Sequence, residues 1–243
     1  MSLVTIIIPY KNNLKYLFLA LESVFFQTYK KFKIIIIYDD ENKSDLLQIK
    51  KFVFRNKKIR KYSIKILTNK KNIGAGESRN IGIKLSKTKY IAFLDSDDVW
   101  HKDKLKFQVN YMINDRTLIS HTSYNIIDES GKKISLRKSK NKLYFKDILN
   151  SCDIGLSTVM IDLKFLKKNN LKFPKIKTKE DYVLWLKMRN GICLYGSEDV
   201  ALNCNFRLDF VVLGARCASP KGSSSLSVRR KTEIEVWWGR FDP

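Results

Sequence analysis

The stretch Tyr90-Ile91-Ala92-Phe93-Leu94-Asp95-Ser96-Asp97-Asp98-Val99-Trp100 constrains the fold more than any other part of the chain. An apolar run of strand length breaks off into Asp95, Asp97 and Asp98. A run built from Ile, Phe and Leu predicts a strand buried on both faces, as in a parallel sheet. Acids at its C-terminal end then lie in the crevice where open α/β sheets bind ligands. Like charges packed this closely repel unless something positive sits among them, and Asp oxygens are hard ligands suited to Mg²⁺ or Mn²⁺. The plainer alternative is an acidic turn that caps a helix starting near Trp100, and the stretch alone does not choose between the two.

The same pattern recurs upstream. Val4-Thr5-Ile6-Ile7-Ile8-Pro9 reads as a first buried strand stopped by Pro9. Lys33-Ile34-Ile35-Ile36-Ile37-Tyr38 reads as a second, ending in Asp39-Asp40, and Ser63-Ile64-Lys65-Ile66-Leu67 as a third. Leu14, Leu17, Phe18, Leu21, Val24 and Phe25 recur at helical spacing, and a less regular helix is expected from about Lys43 to Phe54. After the third strand, Asn72-Ile73-Gly74-Ala75-Gly76 leads into a helix reaching about Ser86. Strands alternating with helices through right-handed crossovers predict an α/β fold with a doubly wound, mostly parallel sheet.

In such a sheet Asp39 and Asp40 share one edge with Asp95, Asp97 and Asp98. The Gly74–Gly76 loop lets backbone approach a ligand there. It is not a dinucleotide fingerprint, because no GxGxxG follows the first strand, and it lacks the lysine and hydroxyl of a Walker loop. Arg79, one turn into the helix, is placed to meet a carboxylate or phosphate, or else is a solvated helix arginine.

Beyond Trp100 the rhythm changes. Leu105, Val109, Met112 and Ile113 predict a helix; Leu118-Ile119, Asn125-Ile126-Ile127 and Lys133-Ile134-Ser135 predict short strands around an Asp128-to-Gly131 turn. The Lys/Ser/Arg run from Lys132 to Lys142 reads as a solvated loop open to phosphate or lipid. Ser157-Thr158-Val159-Met160-Ile161 reads as another strand. Glu180-Asp181 stand just before the apolar run from Tyr182 to Met188, where the helix dipole favours acids.

The 243 residues carry a formal charge of +23, which points to an anionic partner: nucleic acid, a phosphorylated substrate or an anionic lipid surface. With 44% hydrophobic residues the chain is globular, and no apolar run is long enough to cross a bilayer. No basic segment precedes an apolar one at the N-terminus, so no signal peptide is expected. Cys152, Cys193, Cys204 and Cys217 form no metal-binding spacing, which fits a reducing compartment. His101 and His121, far apart in sequence, read as surface or core histidines. After Phe206 lysine gives way to arginine, Pro220 to Ser225 reads as a linker, Leu208 to Val212 as a strand, and Trp237-Trp238 as an interface anchor. This extension, 206–243, carries no functional expectation.

Six motifs now stand in order: Pro9-Tyr10-Lys11-Asn12, the Leu21-to-Tyr29 helix with Gln27-Thr28-Tyr29, Asp39-Asp40, Asn72-Ile73-Gly74 with Arg79-Asn80-Ile81-Gly82, Asp95-Ser96-Asp97-Asp98, and Glu180-Asp181 with Trp185. Together, over Val4 to Val200, they resemble the family 2 glycosyltransferases of the GT-A fold. One departure is that Glu41 follows Asp39-Asp40 where that family usually has glycine. The resemblance implies a domain at 1–205, with a nucleotide-sugar half at 1–100 and an acceptor half at 101–205. It implies that Asp39 hydrogen-bonds the nucleobase, with uracil expected, that Asp40 lies beside it, and that Asp95 meets ribose or diphosphate. Asp97 would hold the divalent cation, Mn²⁺ or Mg²⁺, and Pro9, Tyr10, Asn72, Gly74 and Arg79 would complete the donor site.

Asp181 would be the general base that takes the acceptor hydroxyl proton. One base opposite the leaving group suffices for a single displacement with inversion, and the sequence offers no second positioned carboxylate for a retaining route. The expected partners are a UDP-sugar and a polysaccharide or lipid-linked acceptor of cell-surface glycan synthesis. The expected location is cytoplasmic, resting on the inner face of an anionic membrane. Two alternatives stay open: an inactive scaffold of the same fold, and a basic protein that binds an anionic surface or nucleic acid. Against the latter, the lysines are spread along the chain and no nucleic-acid-binding motif is present.

Overall fold

Seven consecutive buried residues, Val4–Tyr10, form β1, the strand on which the sheet is built. The chain then runs through α1 (Leu14–Phe25), β2 (Phe32–Tyr38), α2 (Ser44–Arg55), β3 (Ser63–Thr68), α3 (Ala75–Leu85) and β4 (Tyr90–Phe93). The second half contains α4 (Lys104–Asn114), β5 (Ile119–Thr122), β6 (Tyr124–Ile127), β7 (Lys133–Arg137), β8 (Lys142–Leu143) and α5 (Phe145–Asn150). It continues with β9 (Met160–Asp162), α6 (Leu163–Lys168), α7 (Glu180–Lys187), β10 (Leu194–Ser197) and β11 (Asn205–Arg207). This computed structural model describes residues 2–55, 59, 61–128, 130–140, 142–150, 154–188, 194–197 and 205–207, with residues 142, 194–197 and 205–207 described by backbone alone. All of them lie in one compact unit, Met1–Val211. The expected tail strand, linker and tryptophan anchor lie outside the described residues, as do the cysteines.

The main sheet has the order β3-β2-β1-β4-β9-β5-β10-β8. β3, β2, β1 and β4 are parallel, and β10 pairs parallel with β5. β9 is inserted antiparallel between β4 and β5, and β8 closes the far edge antiparallel to β10. The sheet is thus mostly parallel, as its isoleucine-rich runs predict. Alternation along β1 sorts the core into two clusters. Val4, Ile6, Ile8 and Tyr10 pack with α1 and α4, while Ile7 packs with Ile83 of α3, Ile91 and Phe93. α3 lies so close that a Cβ on Gly82 would sit 2.6 Å from Cγ2 of Ile7.

Three expectations need correction. Pro9 does not stop β1: it lies within the strand, in register with Ile37. The amide of Leu94 donates to the Ile7 carbonyl, so residue 7 and, two further on, residue 9 face the β4 side. β4 pairs only as far as Ile7, so proline's missing N–H costs no ladder bond there. No helix starts near Trp100; α4 begins at Lys104, and the acids at 95–98 do not cap it. Ser157–Ile161 is a 3₁₀ turn, Leu156–Thr158, followed by the short β9. The strand expected at Lys133-Ile134-Ser135 is present as β7, hydrogen-bonded to β6 and largely exposed, so the basic run from Lys132 is solvated but is not loop throughout. The turn before it is held by the Asp128 carboxylate, which accepts from the Ser130 and Lys132 amides at 2.9 Å each.

Candidate active site

The C-terminal ends of β1, β2 and β4 open onto one edge of the sheet, and the expected site residues sit there. Asp39, buried at the end of β2, spends its carboxylate on the loop after β3. Oδ1 accepts from Asn69 Nδ2 at 2.8 Å and from the Ile73 amide at 2.9 Å. Oδ2 accepts from the Gly74 amide at 2.8 Å and from Asn72 Nδ2 at 3.3 Å, and the Asp39 carbonyl accepts from Asn72 Nδ2 at 2.7 Å. Gly74 sits at φ 90°, a backbone state that side-chain-bearing residues rarely adopt, and this turns the chain into α3.

Asp40 accepts from the amides of Asn12 and Asn42 at 3.0 Å each, and so ties the loop after β1 to the loop after β2. Asn12 and Asn13 both take the left-handed conformation that this turn requires. Tyr10 is buried and its hydroxyl donates to Asp45 Oδ2 at 2.5 Å; burial and that partner raise its pKa. The Lys43 ammonium bonds the Asp40 carbonyl, reaches the Asn69 carbonyl at 3.1 Å and lies over the Tyr38 ring. Lys43 and Asn42 thereby hold the loop where the family pattern has glycine.

Arg79 is not a solvated helix arginine. It is 4% exposed, and its Nη2 meets Asp95 Oδ1 at 2.5 Å while its Nη1 meets Glu180 Oε1 at 2.7 Å. Its guanidinium carbon lies 5.4 Å from the centre of the Phe173 ring. Asn80 bonds the Phe173 backbone twice, with Nδ2 donating to the carbonyl at 2.9 Å and Oδ1 accepting from the amide at 3.0 Å. Burial alone would lower the Arg79 pKa, but the two carboxylates outweigh it and the net shift is upward.

The three acids after β4 differ in exposure. Asp97 is exposed, Asp95 half-buried and Asp98 buried. Burial, then the charges of Asp95 and Asp97, push the Asp98 carboxyl well above the usual carboxylate range. Its Oδ2 has no hydrogen-bond partner among the described residues. Ser157 braces this corner by accepting from the Asp95 amide at 3.0 Å, and its carbonyl accepts from Trp100 Nε1 at 2.8 Å.

Asp181, in the first turn of α7, has a raised pKa: burial is the main cause, and the charges of Glu180 and Asp95 add to it against Arg79 and the Tyr182 amide. The two acids in the first turn of α7 therefore behave differently. Glu180 is locked to Arg79, whereas among the described residues the bond found for the Asp181 side chain is a local one, accepted from the Tyr182 amide at 2.8 Å.

The fold thus gathers Asp39, Asn72 and Gly74 into one hydrogen-bonded loop, joins Tyr10 and Asp40 to the same corner, and links Asp95 to Asp181 through Arg79 and Glu180. Pro9 serves within β1. Sequence reasoning gave no role to Asn69, Asn80, Ser157 or Phe173. Asn80 lay inside a quoted motif; the other three carry no signal, because their partners are remote in sequence.

Among the described residues no group of three His, Cys, Asp or Glu side chains is arranged to hold a metal ion unaided. The exposed Asp97, flanked by Asp95 and the unpartnered Oδ2 of Asp98, instead suits a Mg²⁺-like ion that takes its remaining oxygens from substrate phosphate and water. On that count the residues present fit a divalent cation.

The profile described as "Glycosyl transferase family 2" matches residues 5–172. An uncharacterized glycosyltransferase of Rickettsia felis is 39% identical over 188 residues, which cover 76% of this chain and 30% of that protein. The chain thus spans less than a third of the length of this relative. The Escherichia coli protein WfgD, a UDP-Glc:alpha-D-GlcNAc-diphosphoundecaprenol beta-1,3-glucosyltransferase, is 33% identical over 207 residues, covering 84% of this chain and 74% of that one. The crystal structure of S. aureus TarS 1-349 in complex with UDP-GlcNAc superposes with a TM-score of 0.68 at 22% identity, covering 85% of this chain and 58% of the other. That likeness shows the fold, and the profile match and the E. coli relative show the lineage: the chain belongs to glycosyl transferase family 2.

Proposed function

We propose that this chain is an inverting glycosyltransferase that moves a sugar from a UDP-sugar to a hydroxyl of a lipid-linked glycan in cell-surface polysaccharide synthesis. The observation that carries the reading is the line Asp95–Arg79–Glu180, which ties the end of β4 to the residue next to Asp181, a carboxylate of raised proton affinity. The donor chemistry draws support from TarS, seen with UDP-GlcNAc, and the lipid-linked acceptor from WfgD, named for a diphosphoundecaprenol substrate.

In this reading the Asp39-braced loop and Asp40 frame the nucleoside, and Asp95 faces the ribose or diphosphate. Asp97, exposed between Asp95 and Asp98, would hold a divalent cation, which when bound supplies Lewis-acid neutralisation of the leaving diphosphate. Asp181 accepts the acceptor hydroxyl proton as that oxygen bonds to the anomeric carbon. The bond from that carbon to the diphosphate oxygen breaks, and its electron pair leaves on UDP. A base whose pKa lies above the usual carboxylate value is a stronger proton acceptor, and general bases of this kind contribute about 10²- to 10⁴-fold.

Among the described residues no helix is long and apolar enough to cross a membrane. The +23 charge favours resting on an anionic bilayer, where a lipid-linked acceptor is found.

The test is calorimetric titration of UDP in Mn²⁺ and in chelator, followed by transfer from UDP-glucose and UDP-GlcNAc to a diphospholipid-linked sugar. Asp97→Asn is expected to weaken UDP binding in Mn²⁺ much more than in chelator. Asp181→Asn is expected to slow transfer by about 10²- to 10⁴-fold while UDP still binds. A chain that binds no nucleoside diphosphate in either condition refutes the reading. One that binds UDP and transfers no sugar supports the inactive scaffold instead.

A further inference from the structure

We propose that Arg79 is the positioning residue of the transfer reaction: by bridging Asp95 and Glu180 it fixes where the neighbouring Asp181 stands relative to the donor acids. This rests on the reading of Asp181 as the base.

Three residues of α3 on one helical face carry the argument. Gly76 lies so close to the start of α7 that a Cβ there would sit 3.1 Å from Cγ of Glu180 and 3.3 Å from Cβ of Phe173. Arg79, three residues on, reaches Glu180 and Asp95 with its two terminal nitrogens, at 2.7 and 2.5 Å. Asn80 holds the Phe173 backbone by two bonds. Positions three and four apart on a helix point the same way, so α3 presents a single clamp to the segment that leads into α7.

Among the described residues no side chain caps the start of α7, whose N-cap, Lys179, is left-handed at φ 60°. Leu184 and Trp185 bury the apolar face of α7 in the core, and the polar tie beside Asp181 is the Glu180–Arg79 pair.

The chemistry of the clamp requires arginine. A planar guanidinium offers separate donors in a rigid fork to two carboxylates on different elements, whereas a lysine ammonium is a compact point charge without that fixed geometry. Removing the guanidinium leaves Asp95 and Glu180 without their shared counter-charge in a partly buried corner. A shift of about 1 Å in a catalytic group is enough to cost about 10²-fold in rate. Arg79 thus acts through Asp181 and need not touch the substrate.

The experiment compares Glu180→Ala, Glu180→Gln, Arg79→Lys and Asp181→Asn for kcat, donor KM, UDP affinity and melting temperature. Glu180→Ala is expected to lower kcat by about 10- to 100-fold, with UDP affinity held within about threefold, because Glu180 stands on the base side of the bridge. Glu180→Gln keeps an oxygen that accepts from Arg79 Nη1, so it is expected to restore most of that loss. Arg79→Lys is expected to fall with the alanine variant; should it fail to fold, the two Glu180 variants still decide the matter.

Wild-type kcat in Glu180→Ala, with Asp181→Asn inactive, overturns the positioning role. A parallel loss of UDP affinity in Glu180→Ala, or no recovery in Glu180→Gln, overturns it as well. Wild-type transfer by Asp181→Asn sinks the base assignment itself, which is a separate failure.

Discussion

Asp39→Asn probes how far the loop between β3 and α3 depends on one carboxylate. The wild-type side chain accepts four hydrogen bonds, two at each oxygen, from Asn69, Ile73, Gly74 and Asn72. Asparagine keeps one oxygen and presents an NH₂ group to the other pair of donors. The least costly arrangement turns the NH₂ toward Asn69 and Ile73, since the Asn69 amide can flip to accept. The Ile73 amide cannot flip and loses its partner. An unpaired buried donor costs about 1–3 kcal/mol, and losing the charge on the remaining bonds costs further, so about 3 kcal/mol in all is expected. For a chain of this size that corresponds to a fall in Tm of about 6–12 °C. Urea and thermal melts of Asp39→Asn beside Asp40→Asn measure it, the latter losing only bonds near the surface. If Asp39→Asn melts within about 1 °C of wild type, the loop is not held by Asp39 and its four bonds carry no weight.

Other outcomes follow from the same geometry. Gly82→Ala drives a methyl into Ile7 and is expected to cost about 1–3 kcal/mol in a urea melt; an unchanged midpoint would show that α3 yields freely. His121 is buried and its pKa is lowered to about 4 by burial, so the folded chain binds fewer protons than the unfolded chain between about pH 4 and the usual value near 6.5. Stability should therefore fall as pH drops through that window, and His121→Phe should flatten that part of the pH–stability curve; an equally steep curve in the variant refutes the assignment. Co-sedimentation with anionic vesicles should fall steeply as salt rises, given the +23 charge, and indifference to vesicles at low salt argues for a soluble acceptor.

The first hundred residues were readable because their strands are long isoleucine-rich runs and acids stand at the ends of two of them. What escaped reading depends on register and remote contact. Pro9 is tolerated only because β4 stops pairing at Ile7, which no local pattern of residues 4–10 announces. β9 has three residues, too few for its sequence to reveal a direction, yet it runs against its neighbours on both sides. The acids were found by type and position, but their partners were not. Asp39 is satisfied by residues 30 to 35 positions later, and Arg79 finds Glu180 at a separation of 101. Buried polar groups must be paired, but the sequence does not say with whom.

The antiparallel insertion of β9 also bears on how the chain folds as it is made. β4 is flanked by β1, made early, and by β9, whose residues come only after the whole stretch from Trp100 to Val159 has been built. Until then the Tyr90–Phe93 edge offers unpaired backbone and apolar side chains to any other strand it meets. Closing so long a loop is slow, and open edges of this kind invite aggregation while they wait. Refolding from urea is accordingly expected to lose more material at high protein concentration than at low. A charge placed on the solvent-facing part of β3, the other edge, would not relieve it, because the vulnerable edge is the inner one that β9 later covers.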